Sequence, residues 1–165
     1  MSIPVTVIGG YLGAGKTTLI NQVLRQAEGL RIAVLVNEFG ALSIDEDLIE
    51  AQKGDVISIA GGCVCCAFGD NLIGAIGDMV AMVPAPQHIV IEASGVAIPQ
   101  AIAATLSLVS GVHLAGTVVL ADAETVQRRA RDIYMGDTIL RQLTGADLVL
   151  LTKGELVADA ARVAD

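Results

Sequence analysis

All three cysteines of the chain lie within four consecutive positions, as Cys63, Cys65 and Cys66 in the stretch GGCVCC. Thiolates are soft ligands that suit Zn²⁺, and a bound metal keeps them deprotonated near neutral pH. A tetrahedral Zn²⁺ site needs four ligands, so three sulfurs leave one place for another group. Two other interpretations stay open: buried inert thiols, and a redox pair formed by Cys63 and Cys66, which have C-x-x-C spacing.

A second motif whose residue types could bind a ligand is GGYLGAGKTT at residues 9–18. It matches G-x-x-x-x-G-K-[ST], a loop whose glycines let consecutive N–H groups face phosphate oxygens. We expect Lys16 to bridge the β- and γ-phosphates and the Thr17 hydroxyl to bind Mg²⁺. The motif therefore predicts that the chain binds a nucleoside triphosphate. The predicted phosphate-binding residues are Gly10, Gly13, Ala14, Gly15, Lys16, Thr17 and Thr18.

A buried carboxylate completes this predicted site. Glu92 ends the aliphatic run HIVIEA at residues 88–93, close to where the phosphates are expected. An unpaired carboxylate would be costly in a buried strand, so we interpret Glu92 as linked to Mg²⁺, directly or through water. Lys16, Thr17 and Glu92 are the predicted catalytic residues.

The segment DLVLLTKGE near the end of the chain resembles the guanine-reading motif [NST]-K-x-D of GTPases. The resemblance assigns nucleotide binding to Thr152, Lys153 and Glu155. In that motif a carboxylate accepts hydrogen bonds from guanine and the lysine stem packs on the ring. Glu155 is one methylene longer than the usual aspartate. A solvated strand end remains the alternative interpretation of these residues.

The elements that must position these residues alternate along the chain. Apolar runs predict six strands, and several runs are continuous, which is typical of a sheet covered on both faces. Helical patterns lie between them, the last over about 124–144 with an exposed arginine cluster. We therefore predict a three-layer α/β fold of the P-loop NTPase type with a mostly parallel sheet. The predicted strands are 3–8, 31–37, 56–59, 88–93, 114–122 and 147–153, and the other predicted helices follow the P-loop and cover 70–83 and 99–109.

Charge and composition exclude several classes of function. The formal net charge of −8 argues against a nucleic-acid partner, since phosphate contacts need clustered basic residues. Residues 93–121 carry no charged side chain, but glycines and Pro99 interrupt them, so we expect a buried helix and strand rather than a membrane span. The first residues lack the features of a signal peptide, which favours a cytoplasmic protein with reduced thiols.

The P-loop, NEFG at 37–40, GCVCC at 62–66, EASG at 92–95 and TK at 152–153 occur in this order. Together they resemble the CobW-type metallochaperone GTPases, relatives of the UreG and HypB proteins. The resemblance implies a GTPase with GTP, Mg²⁺ and Zn²⁺ (or Co²⁺) as cofactors. It also implies a client metalloprotein as partner. No residue stands out as a water-positioning group and no arginine finger can be assigned, so we expect slow intrinsic turnover that a partner or a homodimer speeds.

By the same resemblance, Cys63, Cys65 and Cys66 are the transition-metal ligands, and Glu38 is the candidate for the fourth place. Asp45 lies where a switch segment would respond to the γ-phosphate and is assigned to Mg²⁺. Family members often carry an acidic residue just after NEFG, where this chain has Ala41.

The resemblance extends through almost the whole chain, so residues 1–165 are interpreted as one GTPase domain. Only ten residues follow Glu155, and we expect a domain truncated at its C-terminal edge, without the family's C-terminal domain. Two other functions stay open. One is a P-loop ATPase or small-molecule kinase with incidental cysteines, and the other is a module that binds metal and nucleotide without hydrolysis.

Overall fold

The computed structural model describes residues 2–27, 29–37, 56–61 and 70–157, which form an α/β fold. A short 3-10 helix, Gly154–Leu156, follows the last strand. The strands are β1 (Ile3–Gly10), β2 (Ile32–Asn37), β3 (Val56–Gly61), β4 (His88–Glu92), β5 (Val112–Asp122) and β6 (Leu148–Thr152). The helices are α1 (Lys16–Arg25), α2 (Asp70–Ala81), α3 (Pro99–Leu106), α4 (Val126–Ala130) and α5 (Gly136–Thr144).

The six strands form one sheet in the order β3-β2-β4-β1-β5-β6, and every pairing among them is parallel. All six predicted strands are present, with bounds that differ by two residues at most from those predicted. The predicted P-loop type of α/β fold with a parallel sheet is confirmed. Parallel strands need crossover connections, which is why helices alternate with strands along the sequence.

Two apolar clusters lie on opposite faces of the sheet. Successive strand residues point to opposite faces, so Val7 of β1 joins one cluster and Ile8 joins the other. The first cluster packs the sheet against α2 and α3, and the second packs it against α1. Helices therefore cover both faces, which explains why the central strands are apolar without alternation.

The predicted helix over 124–144 is wrong as a single element, because the structure has two helices there. Helix α4 ends at Ala130 and α5 begins at Gly136. Between them the Oδ1 atom of Asp132 accepts hydrogen bonds from the N–H groups of Tyr134 and Met135, at 2.8 and 3.0 Å. A side chain that bonds the backbone two or three residues onward offers an alternative to helical hydrogen bonds, and this turn divides the segment.

Strand β1 occupies the position that matters for function. Its neighbours are β4 on one side and β5 on the other. The connection from β1 leads to β2 on the β4 side, whereas the connection from β4 crosses to β5 on the opposite side, so the strand order reverses here. In open parallel sheets, ligands bind outside the carboxyl ends of the strands at such a switch in strand order. The residues at and after the carboxyl ends of β1, β4, β5 and β6 are therefore expected to line the ligand site.

Strand β6 is one of the two edges of the described sheet, and β3 is the other. Leu148, Val149 and Leu151 are between 39% and 52% exposed, although neighbouring residues of a strand face opposite sides. Both faces of β6 consequently carry exposed side chains, in contrast to the buried strands at the centre, although Leu150 still packs against the second cluster.

The uncharged stretch 93–121 contains the eight-residue helix α3 and most of β5. Among the described residues, no helix has the length and apolar character that crossing a membrane requires.

Candidate functional site

The loop between β1 and α1 has the backbone of a phosphate cradle. Gly10, Gly13 and Gly15 have φ angles of 132°, 78° and 93°, in the region that favours glycine. The Ala14 N–H donates to the Tyr11 carbonyl at 3.1 Å and closes a tight turn inside the loop. Helix α1 begins directly after Gly15 with no side-chain cap, so its first N–H groups are free of a capping side chain. Such a helix N-terminus favours an anion.

Lys16 holds its charge inside this loop. Its side chain is buried, and its Nζ donates to the Gly10 carbonyl at 2.9 Å. Burial lowers the pKa of Lys16, and the nearby carboxylate of Glu92 opposes that shift. The ammonium is thus desolvated at the base of the loop, where an anion would gain more from it than it would in water.

The structure brings Thr17 and Glu92 together although they are 75 residues apart. The Thr17 hydroxyl donates to the two carboxylate oxygens of Glu92, at 3.1 and 3.4 Å. Glu92 ends β4, which pairs with β1 in a register that sets Ile8 opposite Glu92. These oxygens match the ligands that Mg²⁺ takes from proteins, with further positions left to phosphate and water. The residues present therefore fit the predicted Mg²⁺ site.

The predicted base-reading residues occupy different places. The Thr152 hydroxyl donates to the Ala14 carbonyl at 2.9 Å and to the Ala121 carbonyl at 3.3 Å, so it touches the phosphate loop. Lys153 donates to Oδ2 of Asp122 at 2.8 Å. Glu155 lies exposed in the 3-10 helix. The structure thus gathers Thr152 with the phosphate loop and leaves Glu155 in solvent.

Asp122, at the end of β5, was missed by the sequence analysis. Its Oδ1 accepts from the N–H of Glu124 at 3.0 Å, while Oδ2 accepts from Lys153. Burial alone would raise the pKa of Asp122, but these hydrogen bonds and the attraction of the Lys153 ammonium together lower it. The ionised Asp122 therefore holds the backbone of Glu124 and the side chain of Lys153 at the end of β5.

Arg129 and Gln142 were also missed. The arginine cluster predicted to lie on the exposed side of the last helix consists of Arg128, Arg129 and Arg131, and only Arg128 and Arg131 are exposed. Arg129 is half-buried against the phosphate loop, and its Nη1 donates to the Leu12 carbonyl at 3.2 Å. Gln142 of α5 donates to the carbonyls of Gly95 and Ala97, at 3.2 and 2.7 Å. No local sequence pattern signals contacts that join such distant segments.

The predicted transition-metal ligands and the switch acid lie outside the described residues; they are Glu38, Asp45, Cys63, Cys65 and Cys66. The structure describes the strand ends that lead toward them, where Asn37 of β2 is paired with Gly61 of β3. The chain leaves the sheet at adjacent points toward Glu38 and toward Cys63. Within the described ranges, no group of three or more histidine, cysteine or acidic residues could hold a metal ion.

Comparison with known proteins places this geometry in a family. The profile of the CobW/HypB/UreG nucleotide-binding domain matches residues 4–165. The zinc chaperone CobW of Sinorhizobium sp is 35% identical over 183 residues, which cover 94% of this chain and 52% of that protein. The zinc chaperone YjiA of Escherichia coli is 32% identical over 169 residues, which cover 98% of this chain and 52% of that protein.

A solved structure agrees with these matches. The zinc-bound triple mutant of the YjiA GTPase superimposes with a TM-score of 0.68 at 26% identity, covering 99% of this chain and 53% of that one. The chain thus spans about half the length of the curated relatives it matches. The resemblance that the ordered motifs predicted is confirmed: the chain belongs to the CobW/HypB/UreG family through its nucleotide-binding domain.

Proposed function

We propose that the chain binds and hydrolyses GTP with Mg²⁺ and couples its nucleotide state to Zn²⁺ or Co²⁺ held by Cys63, Cys65 and Cys66. The metal is the cargo, which a client metalloprotein receives. The observation that carries this proposal is the left-handed glycine loop with the buried Lys16 ammonium at its base and Thr17 beside Glu92. The relatives named as zinc chaperones support the choice of cargo.

The roles of the described residues follow from their contacts. The N–H groups from Gly13 to Thr18 and the Lys16 ammonium bind the phosphates, and Thr17 with Glu92 holds Mg²⁺, which neutralises phosphate charge when bound. Thr152, Lys153 and Glu155 form the side of the pocket that receives the base, with Thr152 also supporting the loop through Ala14. Stabilisation of negative charge by fixed donors is the main catalytic contribution expected from such a site.

The cargo site follows from chain placement and ligand chemistry. Asn37 and Gly61 lie opposite each other in the β2–β3 pair, and Glu38 and the cysteine cluster follow them. We propose Glu38 as the fourth ligand because it directly follows Asn37 in the sequence, and the strand that Asn37 ends is paired with the strand that precedes the cysteines. Asp45 is proposed to respond to the γ-phosphate. The acidic net charge and the family support a cytoplasmic protein that acts on a protein client, as a monomer or homodimer, and binds neither nucleic acid nor membrane.

Metal titration is the test of coupling. Zn²⁺ affinity is to be measured with GTP, GDP or no nucleotide, and the triple Cys63→Ser, Cys65→Ser, Cys66→Ser variant is the matched control. We expect the affinity to differ at least about fivefold between the GTP and GDP states, as typical coupling energies imply, and to be lost in the control. Equal affinity in all three states would remove the coupling, because a ligand without differential affinity shifts no equilibrium.

Nucleotide competition separates the other functions. Displacement of a fluorescent guanine nucleotide by GTP but not by ATP is expected. Preference for ATP would favour a P-loop ATPase or kinase. Binding of GTP without phosphate release, with or without Zn²⁺, would favour a passive module.

Glu92→Gln tests the Mg²⁺ assignment. The amide oxygen can still accept from Thr17, but the negative charge that favours the cation is gone. We expect the Mg²⁺ concentration for half-maximal GTP hydrolysis to rise at least about tenfold, as for other metal-site substitutions. Glu124→Gln is the matched control, since it makes the same chemical change at an exposed residue. An unchanged Mg²⁺ requirement in Glu92→Gln would contradict the assignment.

A further inference from the structure

Arg129 makes two contacts with the phosphate loop. Its guanidinium carbon lies 4.5 Å from the centre of the Tyr11 ring, a cation–π distance. Its Nη1 donates to the Leu12 carbonyl at 3.2 Å. Tyr11 and Leu12 lie between the glycines of the loop and have no part in the motif that predicted nucleotide binding. The nearby arginines Arg128 and Arg131 are both exposed, so Arg129 is the member of that cluster that packs against the phosphate loop.

The Leu12 carbonyl belongs to the same peptide unit as the Gly13 N–H. In a planar trans peptide, the C=O and the following N–H point in opposite directions. Gly13 has a φ of 78°, and a methyl group added at its Cα would contact nothing within 4 Å. Gly13 therefore contributes no side-chain contact that would fix the orientation of this peptide. A hydrogen bond that holds the Leu12 carbonyl toward α4 turns the Gly13 N–H away from α4.

The same device occurs two residues later. The Thr152 hydroxyl holds the Ala14 carbonyl at 2.9 Å, which turns the Gly15 N–H in the opposite direction. The loop thus has two carbonyls bound from outside, and each precedes a glycine with positive φ. One donor is the end of β6, and the other is Arg129 of α4.

Leu12 is also confined on its other side. A Cβ atom on Gly95 would lie 2.7 Å from the Leu12 nitrogen, so the segment after β4 packs directly on the loop. Gln142 of α5 fixes that segment through the carbonyls of Gly95 and Ala97. The peptide held by Arg129 therefore lies between two fixed segments and has little room to move as a whole, while rotation about its own axis depends on the hydrogen bond.

We infer that Arg129 is a positioning residue of the phosphate loop: it orients the Leu12–Gly13 peptide so that the Gly13 N–H faces the polyphosphate. This inference rests on the proposed nucleotide-binding function and deepens it. Arg129 binds the outer side of the loop, so it acts through Leu12 rather than by touching phosphate. The role is distinct from that of an arginine finger, which needs a guanidinium directed at the transferred phosphoryl group.

The test compares binding of a nucleoside with binding of its diphosphate. Affinities for guanosine and for GDP are to be measured in the wild type, Arg129→Ala and the matched control Arg128→Ala. A charged hydrogen bond and a cation–π contact are lost, so we expect Arg129→Ala to bind GDP about five- to tenfold more weakly, with guanosine within about twofold of wild type. Arg128→Ala is expected to match the wild type for both ligands.

Two further variants guard against an effect of folding alone. Arg129→Lys keeps the charge and a donor but loses the planar group that stacks on Tyr11, so partial recovery of GDP affinity is expected. Tyr11→Leu removes the ring and leaves the backbone contact, so a smaller loss specific to GDP is expected. Equal losses for guanosine and GDP, or no loss in Arg129→Ala, would overturn the inference.

These binding measurements distinguish a failure of the proposed function from a failure of the role of Arg129. A wild-type chain that prefers ATP would refute the choice of guanine, and the same comparison would then use adenosine and ADP. A wild-type chain that binds no nucleotide would refute both proposals at once. Wild-type binding with an unaffected Arg129→Ala variant would refute only the role of Arg129.

Discussion

Replacement of Lys16 by alanine is expected to lower the rate of GTP hydrolysis at least about a hundredfold, the scale seen when one fixed donor to a developing charge is lost. The physical reason is the position of the ammonium. It is buried at the base of the phosphate loop, bonded to the Gly10 carbonyl, and followed directly by Thr17. Water cannot replace it there with equal effect, because a charge interacts more strongly in a desolvated site.

Steady-state phosphate release is the measurement, with Arg128→Ala as the control that removes an exposed cation. Thermal unfolding of both nucleotide-free variants checks that they are folded. Lys16→Arg is expected to recover little, since a planar guanidinium does not replace a compact ammonium in a closed loop. Hydrolysis by Lys16→Ala within about threefold of wild type would exclude the lysine from the proposed chemistry, given the scale of donor losses.

The pH dependence of binding has a definite sign. Burial lowers the pKa of Lys16 from its ordinary value of 10.5, despite the opposing effect of Glu92. The phosphate attracts the protonated form, so triphosphate affinity is constant below this lowered pKa and falls as the pH rises through it. In the nucleotide-free protein the same shift disfavours folding below the lowered pKa, and that penalty diminishes as the pH rises toward 10.5.

Gly10→Ala is expected to destabilise the fold by about 3 kcal/mol, a magnitude typical of strain plus overpacking. Gly10 has a φ of 132°, and an added Cβ would lie 2.4 Å from the Leu120 carbonyl oxygen of the adjoining strand. Backbone of β5 cannot yield without breaking its pairing with β1. Because Gly10 both ends the central strand and begins the loop, the loss of stability should come with loss of nucleotide binding.

Gly77→Ala is the matched control, because it makes the same chemical change inside helix α2. An added Cβ at Gly77 would meet nothing within 4 Å. The helix propensity of alanine should therefore stabilise that variant by up to about 1 kcal/mol. Urea unfolding of the three proteins gives the comparison. A Gly10→Ala protein as stable as the wild type would mean that the end of β1 does not pack closely against the backbone of β5.

The fold was largely predictable because its signals are local. Continuous apolar runs marked the buried strands, and the glycine-lysine motif marked the turn from β1 into α1. The division between α4 and α5 could not be read from periodicity, because it depends on hydrogen bonds from Asp132 to two backbone N–H groups. The spacing of apolar residues continues through that turn, whereas the helical conformation of the backbone does not.

The candidate site was predictable where parallel strands set the geometry. Thr17 and Glu92 could both be assigned to Mg²⁺ in advance, because one comes after β1 and the other ends β4, and the carboxyl ends of these parallel strands share one edge of the sheet. The role of Arg129 could not be predicted, since its contact with Leu12 spans 117 residues and depends on how α4 packs. Thr152 was assigned to nucleotide binding by resemblance to a base-reading motif, whereas its contact with Ala14 became visible only in the folded chain.

The exposed edge strand has a consequence for the behaviour of the loop. Local opening costs least where few apolar groups are buried, and β6 has solvent on both of its faces. Its last residue, Thr152, is nevertheless the group that holds the Ala14 carbonyl. Fluctuations that lift β6 from β5 therefore release the Ala14–Gly15 peptide and give up only the half-buried contact of Leu150 with the second core cluster. The rigidity of the phosphate cradle is set at the margin of the sheet, where a binding partner or further polypeptide could tighten it.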